Sequence, residues 1–577
     1  MSLTHTSRDG IAWPSTRPTV YGTRHAISAG HYAATAAGFA ILEAGGNAID
    51  AGCAAGIALG VVQPDLVNFA GVAPIILRRA DGTVETIAGL GHWPASIPPD
   101  LFMREHGGRI PVGVLNAVVP AAPDAWITAL KRHGTMSFGD VAAAAIHLAA
   151  DGFATHEGLA RISAAQADAF RQWPENSRLF LPGGQPLRTG QRVIQSDLAR
   201  TIRYMVDEER AALSQGREAG LEAARRAFYQ GDIAREIDAF MRREGGYLAY
   251  DDLARFASRL EPALRRRWRG HELLTCGPWC QGPVLTTALL MLERCGLGDL
   301  RHDSADYLHL IIEVLKLAFA DREHYYGDPR FVDVPLDALL SDERIARRIA
   351  LIRRDRAMPE MPAAEHGTPG LPAPNPGPLP TVEPDTSYVC VVDRWGNAFS
   401  ATPSDGAWES PMVPGLGIIP SMRGVQSRPD PRHPSGVAPG KRPRLTPNPA
   451  MMVTADGGVM PFGTPGGDVQ VQAMLQVLLN VMHFGMPVQA AIEAPRVATY
   501  NFPSSFAPFD YFPGRITVED RMDPAVRREL ERRGHGVVVW PAFESLGGSV
   551  EMIQADPKTG LLAAGADPRR AAYAMAI

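Results

Sequence analysis

Between positions 358 and 384 about a third of the residues are proline, and this stretch constrains the fold of the 577-residue chain more than any other. Proline lacks the N–H that a helix interior or a central strand needs, and its ring clashes with the preceding turn. The apolar residues of the stretch follow no period, so it reads as an exposed, mobile, partly polyproline-II linker. Directly after it comes Thr386-Ser387-Tyr388-Val389-Cys390-Val391-Val392, a β-branched and aromatic run of strand length. The chain therefore divides at 385. Residues 1–385 form a large part ending in the 358–384 tether, and residues 386–577 form a small part that opens on a strand.

The large part reads as mostly helical. Alanine-rich helices are predicted over 33–43 and 48–62, joined by the turn Gly45-Gly46-Asn47 into a close-packed hairpin. A strand pair over 73–78 and 83–87 turns at Asp81-Gly82. Further helices are predicted over 122–132, 139–150, 158–170, 196–208, 221–230, 232–244, 285–295 and 305–325. A single strand is predicted over 262–274, with the basic run Arg265-Arg266-Arg267-Trp268-Arg269 as a solvated edge. In the small part hairpin signals dominate: Asp393-Arg394-Trp395-Gly396, then Ala455-Asp456-Gly457-Gly458, then 556–560, with one apolar helix over 469–484 between them. Helices in one part and antiparallel strands in the other predict a layered α+β fold.

Composition removes several function classes. A net charge of −5, from 57 basic against 62 acidic residues, lacks the basic excess of a nucleic-acid binder. The longest apolar run, 51–62, is far shorter than the ~20 residues that span a bilayer, so no membrane partner is expected. Five cysteines exclude a disulfide scaffold, and the first residues lack a secretory pattern, so a cytoplasmic location is expected. Cys276 and Cys280 have three residues between them, not the two of a dithiol redox motif, and read as part of a structural loop before Gln281-Gly282. Cys53 and Cys390 sit in apolar runs and read as core. With no metal-ligand spacing and no phosphate-binding glycine loop, neither a metal nor a cofactor is predicted.

The chemistry concentrates at 386. Cleavage of the Asp385–Thr386 bond would give Thr386 a free α-amine, whose pKa of about 7.7–8.0 lets it serve as base beside its own hydroxyl nucleophile. If the strands on either side of Arg394-Trp395-Gly396 pair symmetrically, the numbers of paired residues add to about 790, which sets Ser404 opposite Thr386 within ~5 Å. A one-residue slip would bring Thr402 there instead. Gly466-Gly467-Asp468 runs straight into a helix, so the two glycine N–H groups are candidates for an oxyanion hole. The same residues also fit an ordinary glycine loop with Asp468 as helix cap.

These features, with Leu42-Glu43-Ala44-Gly45-Gly46-Asn47-Ala48-Ile49-Asp50, Ala320-Asp321-Arg322-Glu323-His324-Tyr325-Tyr326-Gly327-Asp328-Pro329, Pro465-Gly466-Gly467 and Ala566-Asp567-Pro568-Arg569-Arg570, follow in the order found in a known family. From about 31 to 574 the chain resembles the γ-glutamyltranspeptidase family of autoprocessing N-terminal-nucleophile hydrolases. The resemblance implies a four-layer αββα sandwich, with the helices mostly from the large part. It implies self-cleavage between Asp385 and Thr386, an acyl-enzyme on Thr386, Ser404 as the second catalytic hydroxyl, and Gly466 and Gly467 at the oxyanion hole.

The chain departs from the family at the substrate pocket. Where the family carries an arginine for the substrate α-carboxylate, this chain has Leu90-Gly91-His92-Trp93-Pro94. Arg423-Gly424 replaces paired aspartates, Leu445-Thr446 replaces paired serines just after Arg444, and Tyr388 replaces a histidine. Acceptors for an ammonium are lost and two guanidinium donors stand nearby. Arg423 and Arg444 are therefore candidate substrate-binding residues for an acidic acyl group without a free α-amine, or else members of structural ion pairs. The pattern is nearer to the amidohydrolase-like branches, such as oxamate amidohydrolase or the capsule-depolymerising transpeptidases. The function expected is hydrolysis or transfer of an acyl group from a small-molecule amide. The two cleaved subunits would stay associated as an α/β heterodimer, open to pairing with a second copy. The rivals are a true glutathione hydrolase and a silent, uncleaved binding protein of the same fold.

Overall fold

The structure is a computed structural model and describes residues 3–6, 12–298, 300–364, 372–380 and 385–577. Two seven-stranded sheets pack face to face. One runs, in spatial order, Tyr573–Ala576, Ala26–Ala29, Val389–Val392, Ala398–Ala401, Ile75–Arg78, Val84–Ile87 and Leu260–Glu261. The other runs Leu264–Trp268, His271–Thr275, Ala450–Val453, Val459–Gly463, Glu551–Ala555, Leu562–Ala566 and Val20–Gly22. Both sheets take strands from both sides of position 385.

The strand Val389–Val392 is buried on both faces, which is why its sequence is an unbroken apolar run with no polar alternation. Its side chains still alternate in direction. Val389 and Val391 enter the core beneath the helices Tyr32–Glu43 and Ala48–Val62, and Tyr388, Cys390 and Val392 enter the core between the sheets. Helix Ala48–Val62 can press onto the sheet because its residues are small: a Cβ at Gly52 would lie 2.2 Å from the Phe399 ring. Its N-terminus carries a capping box of Asn47 and Asp50, which gives the spacing of those two residues a backbone role. On the far side, helices Gly282–Arg294, Ala305–Tyr325 and Gln470–Met482 cover the second sheet through a separate apolar cluster. The result is the four-layer αββα order.

The predicted elements hold with three differences. The 262–274 segment is a hairpin, Leu264–Trp268 paired with His271–Thr275, because Arg269 and Gly270 both take positive φ (47° and 84°) and close a two-residue turn. Its arginines pair with Glu272 and Asp337 at the sheet edge. The 158–170 helix breaks at Gln166 into Glu157–Ala165 and Ala167–Phe170. The 469–484 helix starts at Gln470 after a 3-10 turn, Gly467–Val469.

The described parts of the tether, 358–364 and 372–380, make hydrogen bonds to the body of the protein. Met358 is held by Glu313 and Lys316, Met361 N–H donates to the Tyr511 hydroxyl at 2.9 Å, and Asn375 bonds the Tyr511 carbonyl and Asp510, each at 2.8 Å. The remainder of the tether lies outside the described residues. Sequence patterning also missed the short strands Val20–Gly22, Ala26–Ala29 and Tyr573–Ala576, whose partners are hundreds of residues away. No described helix is long and apolar enough to cross a membrane.

Candidate active site

The hairpin around 393–396 pairs Val389 with Ala401, Cys390 with Ser400, Val391 with Phe399 and Val392 with Ala398, so paired numbers add to 790. The pairing carries on past the regular strands, where Ser387 N–H donates to the Pro403 carbonyl. It brings Thr386 Oγ1 and Ser404 Oγ to 2.5 Å. Ser404 is fixed from its other side by reciprocal backbone hydrogen bonds with Val72, at 3.0 and 3.2 Å. Thr402, the alternative partner, has a buried hydroxyl without a hydrogen-bond partner and bonds Pro74 only through its N–H. The nitrogen of Thr386, which cleavage would turn into an α-amine, donates to the Leu66 carbonyl at 2.9 Å. Thr386 takes φ = 120°, a region a β-branched residue rarely occupies, and this places backbone strain at the Asp385–Thr386 junction.

Asp385 anchors the other side of that junction. Its Oδ2 accepts from Gly406 N–H at 2.7 Å and meets Arg423 Nη2 at 2.7 Å. Its Oδ1 lies 3.4 Å from Ser404 Oγ and 3.5 Å from Thr386 Oγ1. Arg423 has no exposed surface and also donates to Ser404 Oγ. Its Nε is 3.1 Å from Asp405, close enough to attract but not aligned as a hydrogen bond, and its Nη1 has no hydrogen-bond partner. Around this one guanidinium stand three carboxyls, Asp385 and Asp405 buried and Glu409 half-buried. Burial, with the charge of Asp385, pushes Asp405 and Glu409 each up to about 7, against the pull of Arg423. Burial alone would lower the Arg423 pKa, but Asp385 and Asp405 outweigh it and raise it.

A cavity of about 340 Å³ opens beside this cluster, lined by Asp385, Trp408, Glu409, Phe506, Gly466 and Gly467 among others. Thr386 has no exposed surface and lies behind Asp385. Gly466 and Gly467 take φ of 122° and 56°, which glycine adopts without penalty, and they lead into the helix that begins at Gln470. Asp468 does not cap that helix. Its carboxylate receives Arg322 Nη1 at 2.5 Å and Ser505 N–H and Oγ at 2.7 Å, which ties the glycine turn to helix Ala305–Tyr325.

Arg444, like Arg423, is not among the residues that line this cavity. It donates to the Arg322 carbonyl at 2.8 Å and to Glu323 at 2.9 Å, while Arg428 and His433 bind the other oxygen of Glu323. Burial would raise the Glu323 pKa, yet Arg428 and Arg444 hold it well below the usual range. Of the other departures, Leu90 and Trp93 are core residues, Trp93 Nε1 donates to Ser427, and the Tyr388 hydroxyl bonds Ser400 at 2.6 Å between the sheets. Cys276 and Cys280 are buried free thiols. Among the described residues one group could hold a metal by proximity, His309, Glu313 and His535, but Lys316 Nζ already sits 2.7 Å from Glu313. The residues missed from sequence are Asp405, Trp408, Glu409 and Phe506. The available signal was the acid-rich segment directly after Ser404.

The model of one family, gamma-glutamyltranspeptidase, matches residues 34–577. The acylase ACY 1 proenzyme of a Pseudomonas strain is 32% identical over 533 residues, covering 90% of this chain and 88% of that protein. A solved structure titled "Structure of LmbA2991HD" is 37% identical with a TM-score of 0.90, covering 97% of this chain and 99% of that one. The cephalosporin acylase of Bacillus halodurans is 29% identical with a TM-score of 0.84, covering 98% of both chains. The chain belongs to the gamma-glutamyltranspeptidase family and is an autoprocessing enzyme that hydrolyses or transfers acyl groups.

Proposed function

We propose that this family member cuts its own chain between Asp385 and Thr386 and then hydrolyses small amides whose acyl group carries a carboxylate and no free α-amine. The observation that carries the reading is the Arg423 seat. A fully buried guanidinium, next to the nucleophile pair, holds the side chain of the residue that cleavage turns into a chain end, and its Nε and Nη1 have no hydrogen-bond partner. An acidic acyl arm would find there a buried, charge-assisted partner. The carboxyls that stand around it, Asp405 and Glu409, are each pushed up to about 7, which weakens them as partners for an ammonium.

In turnover Thr386 Oγ1 attacks the amide carbonyl carbon. The hydroxyl proton passes through the Thr386 amine to the leaving nitrogen as the C–N bond breaks, and Ser404 orients the hydroxyl at 2.5 Å. The Gly466 and Gly467 N–H groups face the developing oxyanion, and water then hydrolyses the ester. The large and small pieces stay together because both sheets are shared between them.

Thr386→Ala is expected to give a single full-length band on a denaturing gel and no amide hydrolysis, where the natural chain gives two pieces. A Thr386→Ala protein that still splits would sink the mechanism. Release of glutamate from glutathione as readily as from an acid-armed amide without the amine would overturn the acyl preference.

A further inference from the structure

We propose that the acyl pocket of the processed enzyme is matched to a four-carbon dicarboxylic arm, so that N-succinyl amides are its substrate class. This rests on the acyl-threonine reading and adds the length of the arm to it.

The chain supplies the first acyl group itself. In self-cleavage Thr386 Oγ1 attacks the Asp385 carbonyl carbon, the bond from that carbon to the Thr386 nitrogen breaks, and the hydroxyl proton ends on the nitrogen. An ester now joins the Asp385 carbonyl to Oγ1. Water breaks it, leaving a carboxylate on Asp385 and returning a proton to Oγ1. That ester is the same bond that a substrate acyl group forms in every later turnover, and its acyl part is Asp385.

Counted from the ester carbon, the Asp385 arm runs carbonyl, Cα, Cβ and carboxylate, the skeleton of a succinyl group. The far carboxylate is the part the structure holds tightly. Arg423 Nη2 and Gly406 N–H both meet Oδ2 at 2.7 Å, and Ser404 Oγ is 3.4 Å from Oδ1. Arg423, Gly406 and Ser404 all belong to the small part, so the seat remains when Asp385 leaves. Each carbon added to or removed from the arm shifts the carboxylate by about 1.5 Å. A contact now at 2.7 Å then falls outside the range of a hydrogen bond or becomes a clash.

The test uses the natural, processed enzyme and four p-nitroanilides: malonyl, succinyl, glutaryl and the uncharged butyryl. Succinyl should show the highest kcat/KM, at least about tenfold above malonyl and glutaryl, the scale of a misplaced anchor. It should exceed butyryl by about a hundredfold, the scale of leaving a buried donor unpaired. Free succinate should inhibit competitively, more tightly than malonate or glutarate, and Arg423→Gln should collapse the gap between succinyl and butyryl. A glutaryl or butyryl rate equal to or above the succinyl rate overturns the proposal. So does an enzyme that has split at 385 and turns over none of the four, an outcome that leaves the self-cleavage reading standing. A natural chain that never splits removes that reading and takes the arm length with it.

Discussion

Two buried arginines flank the active region, and their partners differ in one respect. Arg444 is held by Glu323 and the Arg322 carbonyl, groups of helix Ala305–Tyr325 that lie far from the proposed cut in sequence. Arg423 is held by Asp405 and by Asp385, and under the proposed cleavage Asp385 becomes a chain end. A buried charge whose partner is permanent is part of the framework. A buried charge whose partner departs is left as a receptor.

The largest effect that would break this contrast is on stability. Glu323→Ala strands Arg428 and Arg444 together in the interior and should cost about 3–5 kcal/mol in a urea unfolding series. Asp385→Ala, measured in the uncut Thr386→Ala background, should cost clearly less, because Arg423 keeps Asp405. Equal losses would mean that Asp385 is framework too.

Next in size is catalysis. Arg423→Met in the processed enzyme should lower kcat/KM for acid-armed amides by about a hundredfold, ~2.7 kcal/mol of transition-state binding. Arg444→Met should lower the unfolding midpoint while leaving KM within about threefold. A large KM change in the second variant would make both arginines receptors.

The smallest effect is a pH response. In the uncut chain burial, the largest cause, and the charge of Asp385 bring Asp405 and Glu409 up to about 7, and burial persists once Asp385 leaves, so both titrate above the usual carboxylate range. Ionisation adds negative charge around Arg423, so KM for an acid-armed substrate should rise several-fold as pH passes 7. The same raised values mean that the folded state keeps protons the unfolded chain loses, so these two groups lower stability progressively from about pH 4 to pH 7. Asp405→Asn should flatten the KM profile, and a KM that is constant from pH 6 to 8 would argue that no carboxylate binds at Arg423.

Much of this arrangement was legible in sequence where local rules decide it. A strand buried on both faces with a tight turn has one acceptable register, so Thr386 and Ser404 could be paired by counting. The glycine turn before an apolar helix was equally plain. Asp405, Trp408 and Glu409 were not, because 402–422 has no period and takes its shape from distant contacts, such as Ser404 with Val72, Asn176 with Ala407 and Ser421 with Asp405. For Arg444 the sequence offered both a substrate contact and an ion pair, and its partner Glu323, over a hundred residues away, could not be read from its neighbours. The tether shows a similar limit. Proline removes donors, not acceptors, and the carbonyls of Pro376 and Gly377 are taken up by Arg515.

The strand that carries the nucleophile lies between Ala26–Ala29 from one piece and Ala398–Ala401 from the other. In the uncut chain these strands find each other as parts of one molecule. Once the bond before Thr386 is gone, the same encounter needs two molecules to meet in solution, each with an unpaired sheet edge exposed meanwhile. The mature enzyme is thus an assembly that its own pieces have lost the instructions to rebuild. Its durability is a matter of how slowly it comes apart rather than how readily it re-forms, and heating that the precursor survives should inactivate the cut protein for good.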